Sequence, residues 1–435
     1  MRVLVVVLVL CAVPAINGDF SIAQQPAVGT GSAVTVAPSA GSPTAGIQEA
    51  INALGRDGGV VTIPPGEYLL RQAIHVRSNV TLEGTGANTV LRRGKQVEAK
   101  LAAVAEPGSI SVQVESAAGL REGDEVGIFD QASVGWHHAH AIVKGIQGNE
   151  LRLDRMLGRK FDPARGATVI NYFPAITAVG ASKVVIKDLT IDGRRDENPG
   201  PSLLTRRGEP FELGFTFAAI HLVGVTDSRI EGSRIVGWPT DGISVQRGGN
   251  DSVVRCVVEN CRGHGYHPGG GLHDSEFSEI VAQGNDGDGL YFCANVERVV
   301  VKGSRFIGNK GNGVGGLGDV GDLHNLVENN LCEGNGASGI LLTNGGHNTV
   351  KNNTCLDNSR SLPGHFSGIS LVKTTESVVS GNRSFDSQET KTQKHGIAES
   401  ADSRGNVFAT NDCRGNAHAG LALAGEDGRQ DGNVE

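Results

Sequence analysis

Residues 239–246 read Pro-Thr-Asp-Gly-Ile-Ser-Val-Gln, residues 262–269 read Arg-Gly-His-Gly-Tyr-His-Pro-Gly, and residues 286–293 read Asp-Gly-Asp-Gly-Leu-Tyr-Phe-Cys. In each stretch a glycine precedes a short segment in which side chains should alternate between two faces. The same arrangement recurs along the second half of the chain, at Gly242, Gly265, Gly289, Gly313, Gly339, Gly368, Gly396 and Gly420. The spacing of 23 to 29 residues between these marker glycines is typical of a solenoid whose repeats are single coils.

Two columns of inward-facing positions follow from the period of two along a strand. The residue after each marker glycine is apolar, and Ala219 precedes Ile220 in the same way 23 residues before Gly242. The second column contains Leu222, Val245, Pro268, Phe292, Leu342, Leu371 and Leu423, and is interrupted by Gly316 and Glu399. A glutamate in this column indicates either a bulge or an error in the proposed register.

The composition favours many tight turns around a narrow core. Glycine contributes 63 of the 435 residues, whereas aromatic residues make up only 4%. A formal net charge of −8 argues against a nucleic-acid partner, and no apolar run is long enough for a membrane span. Short strands without helical crossovers predict an all-β fold, a single-stranded parallel β-helix. The sequence gives no indication of the oligomeric state.

The chain divides into five predicted segments. Residues 1–23 are typical of a secretory signal peptide, because Arg2 precedes an apolar stretch at 3–13 and small residues follow, with cleavage expected after Ala23. This predicts a secreted or periplasmic protein. Residues 24–41 form a linker, and 42–96 a capping helix and the first coils. Residues 97–172, with longer strands between Gly-Asp and Gly-Asn turns, form a small β insertion, and 173–435 form the β-helix.

The helix of the second segment should begin with Ser42 as N-cap and Pro43 at the first helical position. The stretch from this helix onward, Gly46-Ile47-Gln48-Glu49-Ala50-Ile51 and then 58–68 with Gly-Gly-Val-Val-Thr-Ile-Pro-Pro-Gly-Glu-Tyr, resembles the opening of the pectate-lyase-like superfamily. The resemblance covers nearly all of the mature chain and implies a right-handed parallel β-helix with an N-terminal capping α-helix. It does not fix the reaction, because the superfamily contains lyases, hydrolases, epimerases and non-catalytic proteins.

Small side chains should stack between neighbouring coils. Asparagines near turns recur at Asn309, Asn329, Asn352, Asn382 and Asn411, where they could hydrogen-bond along the solenoid. The six cysteines of the mature chain are Cys256, Cys261, Cys293, Cys332, Cys355 and Cys413. Cys332 and Cys355 recur in equivalent contexts, which favours buried free thiols, although an even number in an exported chain also allows disulfides.

Titratable side chains concentrate at outward positions of four consecutive coils. These residues are His221, Asp241, His264, His267, Asp288 and Tyr291, with Ser244 in the same column as His221 and His267. Because neighbouring strands lie about 4.8 Å apart, we expect them to line one cleft. His221 and Ser244 would bind substrate there. The alternative is a solvated face, since Asp-Gly pairs are also good turn formers.

One comparison suggests a hydrolase. Pro239-Thr240-Asp241-Gly242 and Gly263-His264-Gly265 resemble the Asn-Thr-Asp and Gly-His-Gly motifs of polygalacturonases, in which the aspartate is catalytic. Pro239 replaces the asparagine, and the Asp-Asp and Arg-x-Lys motifs are missing. Asp241 and Asp288 would stand two coils apart, about 9–10 Å, near the upper limit for the two carboxylates of an inverting glycoside hydrolase.

A second comparison suggests a lyase or an epimerase. The stretch 264–269, His-Gly-Tyr-His-Pro-Gly, resembles the Tyr-Gly-Phe-Asp-Pro-His motif of mannuronan C5-epimerases and related alginate lyases, and the run 285–289 resembles the motif of their next coil. His267 and Gly269 replace the family's aspartate and histidine, so its mechanism does not carry over unchanged. Proton abstraction beside a uronate carboxylate needs a base, an acid and a cation. His267 or His264 could be the base and Tyr291 the acid.

The cation could come from the loop at 193–214, where Arg194, Arg195, Arg206 and Arg207 form a basic cluster that could bind the substrate. The alternative is pairing with acidic neighbours in the same loop. The histidines of Trp136-His137-His138-Ala139-His140 should alternate between strand faces, which disfavours a metal site. Asp319 and Asp322 are candidate calcium ligands, but Gly-Asp turns also explain these residues. No cofactor is firmly indicated.

The sequence therefore favours a secreted carbohydrate-active enzyme that acts on a uronate-containing polysaccharide by proton abstraction, as a lyase or epimerase. An inverting hydrolase using Asp241 and Asp288 is the second hypothesis, and a non-catalytic glycan-binding surface protein is the third.

Overall fold

The computed structural model describes residues 32–133, 137–204, 214–317 and 321–435. The predicted signal peptide, most of the predicted linker, and the candidate residues Arg206, Arg207 and Asp319 therefore lie outside the described residues. Within the described residues, no helix is long and apolar enough to cross a membrane.

Three parallel sheets wind around a common axis, and a full coil adds one strand to each of them in turn. Their interior is one continuous hydrophobic core that extends from the N-terminal helix to Cys413. The chain thus confirms the predicted all-β parallel β-helix.

In the described residues, the first sheet has 13 strands: Ser32–Thr35, Gly59–Thr62, Val80–Glu83, Val185–Lys187, Arg229–Glu231, Ser252–Val254, Glu276–Ser278, Val300–Lys302, Leu326–Glu328, Thr349–Lys351, Val378–Ser380, Val407–Ala409 and Arg429–Asp431. The second sheet, over the same described ranges, has 10 strands: Gly66–Leu70, Thr89–Arg93, Thr190–Asp192, Arg234–Val236, Val257–Glu259, Val281–Gln283, Arg305–Ile307, Leu331–Glu333, Thr354–Leu356 and Arg383–Phe385.

The third sheet carries the predicted cleft and is called the cleft sheet below. Counted over the described part of the chain, its 11 strands are Ile74–His75, Ile176–Val179, Ile220–Val223, Ile243–Gln246, Tyr266–Gly269, Leu290–Tyr291, Val314–Gly315, Ile340–Thr343, Ile369–Val372, His395–Glu399 and Ala419–Leu423.

The strand register of the cleft sheet agrees with the marker-glycine alignment. Ile220 pairs with Ile243 on the next strand, Ile243 with Tyr266, and Tyr266 with Leu290. This column continues through Val314 and Ile340 to Leu421. Glu399 pairs with Leu371 and Leu423 without a bulge, so neither expectation for this residue was right. Its buried carboxylate is accommodated because it accepts hydrogen bonds from Asn406 Nδ2 and the Gly425 N–H.

The capping helix is shorter than the sequence predicted. The α-helix spans Ile47–Ala53, and Ile47, Ala50 and Ile51 are buried. The N-cap is Gly46, whose φ of 92° is a left-handed conformation that glycine adopts readily. Ser42 is therefore not the N-cap. Instead the Ser42 hydroxyl accepts the N–H of Thr44 and stabilises the turn before the helix.

The region 97–172 contains a six-stranded antiparallel sheet with its own core, in the described residues ordered Glu98–Lys100, Thr168–Ile170, Glu125–Phe129, Ala139–Gln147, Glu150–Leu153 and Ser111–Gln113. This insertion leaves the solenoid after strand Thr89–Arg93 of the second sheet and returns before strand Ile176–Val179 of the cleft sheet. Short 3-10 helices lie at Gly86–Asn88, Pro163–Arg165, Arg195–Glu197 and Phe215–Phe217. The last two lie in the next coil at the same corner, between the second sheet and the cleft sheet.

All six cysteines of the described residues are free, in agreement with the favoured prediction. Cys332 and Cys355 are paired in register behind Phe306 in one buried column. The asparagine stacks also exist, but Asn330 and Asn353, not Asn329 and Asn352, are their members.

Candidate active site

The titratable residues predicted from the sequence meet at the N-terminal ends of three neighbouring strands in the cleft sheet. Asp241 and Asp288 end the turns that lead into strands Ile243–Gln246 and Leu290–Tyr291, and His264 occupies the equivalent place before Tyr266–Gly269. His267 and Tyr291 are the second residues of their strands, where the period of two directs them outward.

A buried ion pair joins Asp241 to His267. Nδ1 of His267 lies 2.7 Å from Asp241 Oδ2, and the His264 N–H donates to Asp241 Oδ1 at 2.7 Å. Asp241 is 3% exposed and His267 is 6% exposed. Burial alone would raise the pKa of Asp241, but the hydrogen bonds from His267 and His264 hold it below its ordinary value. Both oxygens of this carboxylate are therefore committed to protein donors.

His267 carries a positive charge in this environment. Burial alone would lower its pKa, but the hydrogen bond with Asp241 and the nearby Cys293 thiol raise the pKa to about 9. Its Nε2 is buried and has no hydrogen-bond partner among the described residues. At neutral pH His267 is thus an imidazolium, which differs from the neutral base expected from the sequence.

His264 and Tyr291 form a stacked pair beside this ion pair. Their ring centroids lie 4.6 Å apart with planes inclined by 12°, and Tyr291 meets the His267 ring edge-on at 5.2 Å. Nδ1 of His264 accepts the backbone N–H of Asp288 at 2.9 Å, so in the neutral state its proton lies on Nε2. Both rings are partly exposed and form the accessible floor of the cluster.

Asp288 offers the second carboxylate. Its Oδ1 accepts the backbone N–H of Asn312 at 2.6 Å and the side-chain Nδ2 at 3.1 Å, while the described residues supply no donor to Oδ2. A Cβ at Gly315 would lie 2.0 Å from Oδ2, so only glycine leaves room for this oxygen. Burial raises the pKa of Asp288. Its environment is therefore the reverse of that of Asp241.

His221 and Ser244 extend the outward column on the N-terminal side. They pair in register with each other and with His267. Ser244 is fully buried, and its hydroxyl accepts a hydrogen bond from Gln246 Nε2 at 3.0 Å, which places it behind the cleft surface. Burial lowers the pKa of His221 to about 3, so this imidazole is neutral.

The described arginines of the 193–214 loop have protein partners. Arg194 pairs with Glu197, and Arg195 donates to Asn260 O and Asp286 Oδ2, both at 2.7 Å. Lys310 contacts the other oxygen of Asp286. The Arg194–Glu197 pair is the pairing within the loop that the sequence left open as the alternative to substrate binding, whereas Arg195 pairs with an acidic residue outside the loop. Arg206 and Arg207 lie outside the described residues.

Asp241, His264 and His267 also place three potential metal-ligand atoms within 4.8 Å of one another. Their hydrogen bonds already engage both Asp241 oxygens and Nδ1 of both histidines, leaving only the two Nε2 atoms. This favours a hydrogen-bonded pair over a metal centre. Asp322, the described member of the calcium candidates, is fully buried and accepts the Val296 N–H.

Several residues that contact the cluster were not predicted from the sequence. Phe215 contacts His221 and His267, Asn312 fixes Asp288, and Cys293 lies near His267. Asn312 occupies the same outward column as His264 and Asp288, so the repeat alignment could have identified it. Phe215 belongs to a short 3-10 helix outside the repeat, so the repeat alignment does not include it.

The fold comparisons agree with this architecture. The profile of the family described as the right handed beta helix region matches residues 218–359 and 278–434. No curated protein matches the sequence. Among solved structures, the chain is similar to a hyperthermoactive exopolygalacturonase from Thermotoga maritima, with 12% identity, 94% coverage of both chains and a TM-score of 0.56.

The chain is also similar to a DFA-IIIase from Arthrobacter chlorophenolicus A6, with 16% identity, coverage of 89% of this chain and 84% of that chain, and a TM-score of 0.53. For the A-module of the Azotobacter vinelandii mannuronan C-5 epimerase AlgE6 the identity is 17%, the coverage 89% and 94%, and the TM-score 0.52. At such identities the likeness concerns the fold alone. With the profile match and the observed coils, the chain belongs to the right-handed parallel β-helix superfamily.

Proposed function

We propose that this chain is an exported enzyme that acts on a uronate-containing polysaccharide by proton abstraction, as a lyase or a C5-epimerase. The observation that carries the proposal is the opposite setting of the two carboxyl groups. Asp241 is committed to His267, whereas Asp288 keeps one oxygen without a protein donor and has a raised pKa. The names of the exopolygalacturonase and the mannuronan epimerase among the structural neighbours indicate that this fold supports chemistry on acidic polysaccharides.

Each role in proton abstraction has a candidate in the cluster. Asp288 Oδ2 is the base, because a carboxylate with a raised pKa binds an abstracted proton more readily than an ordinary one. The His267 imidazolium supplies the positive charge that stabilises an enolate next to the uronate carboxylate. This assigns to His267 the cationic role that the sequence sought in the arginine loop.

The proton balance differs between the two reactions. In a lyase, Asp288 takes the proton from C5, the C4–O4 bond breaks as the C4=C5 bond forms, and the Tyr291 hydroxyl protonates the departing O4. In an epimerase the C4–O4 bond stays intact, and Tyr291 returns a proton to the other face of C5. Tyr291 contacts both histidine rings, which keeps the acid beside the charged group.

The hydrolase that uses Asp241 and Asp288 fits less well. An inverting hydrolase needs one carboxyl as acid and the other as a base that activates water. Asp241 has no oxygen left for either task, since both accept hydrogen bonds below the surface.

The test is turnover of uronate polysaccharides, followed by the ultraviolet absorbance of the unsaturated uronate and by deuterium incorporation at C5 in D2O. Asp288→Asn should lower kcat about 10²- to 10⁴-fold, the usual contribution of general base catalysis. Asp286→Asn is the matched control, because Asp286 lies two residues away in the same turn but pairs with Arg195 and Lys310. An unsaturated product identifies a lyase, and deuterium without unsaturation identifies an epimerase.

The pH profile of the same reaction provides a second readout. Asp288 must be ionised and His267 protonated, so activity should rise on the acid side and fall as the pH passes about 9. Equal activity of wild type and Asp288→Asn, or neither product across the panel of uronates, would contradict the proposal.

A further inference from the structure

The insertion brings a second group of rings beside the cluster. His138 and His140 lie two residues apart at the start of strand Ala139–Gln147, so their side chains share one face. Their rings lie 4.6 Å and 4.2 Å from the ring of Phe217, and His140 is stacked on it within 10°. Phe217 is buried against Phe129 and Tyr172 in a small core shared by the insertion and the solenoid. The buried ring of Phe217 therefore supports both histidine rings.

The 3-10 helix Phe215–Phe217 connects these rings to the cluster. Phe215 lies 6.0 Å from the His221 ring and 5.2 Å from the His267 ring. His221 and His267 flank Ser244 in the outward column of the cleft sheet. A row of rings thus extends from His140 and Phe217 through Phe215 to His267.

Two ring nitrogens in this row lack partners. Nδ1 of His221 and Nδ1 of His138 are buried and have no hydrogen-bond partner in the part of the chain that the structure describes. His221 is only 7% exposed. A buried polar atom left unpaired costs about 1–3 kcal/mol, which a ligand hydroxyl at the same place would offset.

The part of the row away from the His267 imidazolium favours an uncharged ligand. Burial lowers the pKa of both His138 and His221 to about 3, so both imidazoles are neutral at neutral pH. The nearby charged groups have opposite signs: Glu125 Oε1 lies 3.7 Å from His140 Nδ1, and Arg159 donates to the backbone oxygen of His137. Aromatic faces with a few uncharged hydrogen-bonding atoms suit the C–H face and hydroxyls of a sugar.

We propose that His221, Phe215, His138 and His140 form a subsite for an uncharged sugar unit next to the uronate on which Asp288 and His267 act. The inference rests on the proposed function and extends it, because it makes the preferred substrate a polysaccharide in which uronate and neutral sugar are neighbours. Both unpaired nitrogens are buried, so binding requires the rings around them to move, among them the half-buried Phe215 beside His221.

The experiment compares kcat/KM on oligosaccharides that contain only uronates with kcat/KM on oligosaccharides that join a uronate to a neutral hexose. Phe215→Leu removes the ring and keeps an apolar side chain, and His221→Phe keeps the ring and removes its nitrogens. Each should lower kcat/KM on the mixed substrate about tenfold more than on the uronate-only substrate, mainly through KM. His137→Ala is the control, since His137 neighbours His138 in the sequence but is exposed.

The outcomes separate this inference from the function on which it rests. Equal losses on both substrates would mean that the rings only support the fold, and no loss on either would also overturn the subsite. If the wild type turns over none of the uronates, the proposed function fails. Calorimetric binding of neutral oligosaccharides to wild type and Phe215→Leu then still tests the subsite, and it is rejected if the wild type binds none or both bind equally. If His221→Phe does not fold, Phe215→Leu decides alone.

Discussion

Asp251 occupies a turn position that most coils fill with serine or asparagine. Its Oδ1 accepts the Ser228 N–H at 2.9 Å, but Oδ2 is buried with no partner in the described residues. Burial raises the pKa of this carboxyl to about 8. At the equivalent Asn325, the side-chain Nδ2 donates to Val296 O at 2.8 Å. An asparagine can make this contact at any pH, whereas the aspartate can do so only when protonated.

Asp251→Asn should therefore stabilise the protein at pH 8 and have little effect at pH 4. Between its ordinary value of 3.8 and about 8, the folded carboxyl keeps a proton that the unfolded chain has lost, so stability falls as the pH rises through this window. We expect the variant to gain about 1–3 kcal/mol at pH 8. Urea unfolding at both pH values would measure the difference.

The control for this substitution is Asp274→Asn. Asp274 is exposed, and hydrogen bonds from Arg298 and then His273 lower the pKa of its carboxyl to about 2, so neutralising it should not stabilise the fold at pH 8. A gain for Asp251→Asn that is the same at pH 4 and pH 8 would show that ionisation is not its cause.

At the scale of the structural element, stacked asparagines hold the turns of successive coils together. Asn335 accepts the N–H of Asn309 and donates through Nδ2 to Phe306 O, and its own N–H donates to Asn358. The same pattern joins Asn330, Asn353, Asn382 and Asn411 at the next corner. Each amide satisfies backbone groups that would otherwise be buried and unpaired.

Asn335→Ala should lower the free energy of unfolding by about 3 kcal/mol, because it leaves the Asn309 N–H and the Phe306 carbonyl without partners in the core. Denaturant unfolding would measure the loss. Asn88→Ala serves as the matched control, since Asn88 is exposed at the end of a 3-10 helix, and it should change stability by less than about 0.5 kcal/mol. Similar effects of the two substitutions would argue against the ladder as a source of stability.

These elements also show what the sequence could reveal. The cleft-sheet register was predictable because a period of two and a marker glycine together determine which side chains face inward. The asparagine stacks were misplaced by one residue at Asn329 and Asn352, since two consecutive asparagines look alike in the sequence. The first of each pair has a positive φ, 56° and 55°, and turns outward, while the second faces the core.

At the scale of the whole molecule, the candidate site lies beside the corner of the solenoid at which two consecutive coils carry long additional segments. The insertion and the loop that ends at Phe217 both leave the second sheet and enter the cleft sheet, immediately N-terminal to the coils of Asp241, His264 and Asp288. The repeat alignment predicted the cluster itself. It could not predict the contacts of His138 and His140 with Phe217, because the insertion and the loop before Ile220 lie outside the repeat and share no period with each other.

The protonation states were also beyond the sequence. A histidine and two aspartates in neighbouring coils do not reveal which carboxylate pairs with the imidazole. The pairing depends on side-chain directions, and on Gly315, which leaves space for Asp288. The sequence therefore named the residues of the cluster while assigning the base to His267 or His264.

The continuous core predicts that the stability of the whole molecule does not depend on disulfides. The six cysteines of the described residues are thiols, and five of them are fully buried, so cohesion comes from stacked coils and not from covalent links. Adding a strong reductant should leave the Tm unchanged, whereas loss of a native disulfide typically costs about 2–5 kcal/mol in a small exported domain. A disulfide-bonded protein melted in parallel confirms that the reductant acts. A Tm lowered by several degrees would mean that the protein isolated from an oxidising compartment contains disulfides, and that the buried column of Cys332 and Cys355 is the first place to look for one.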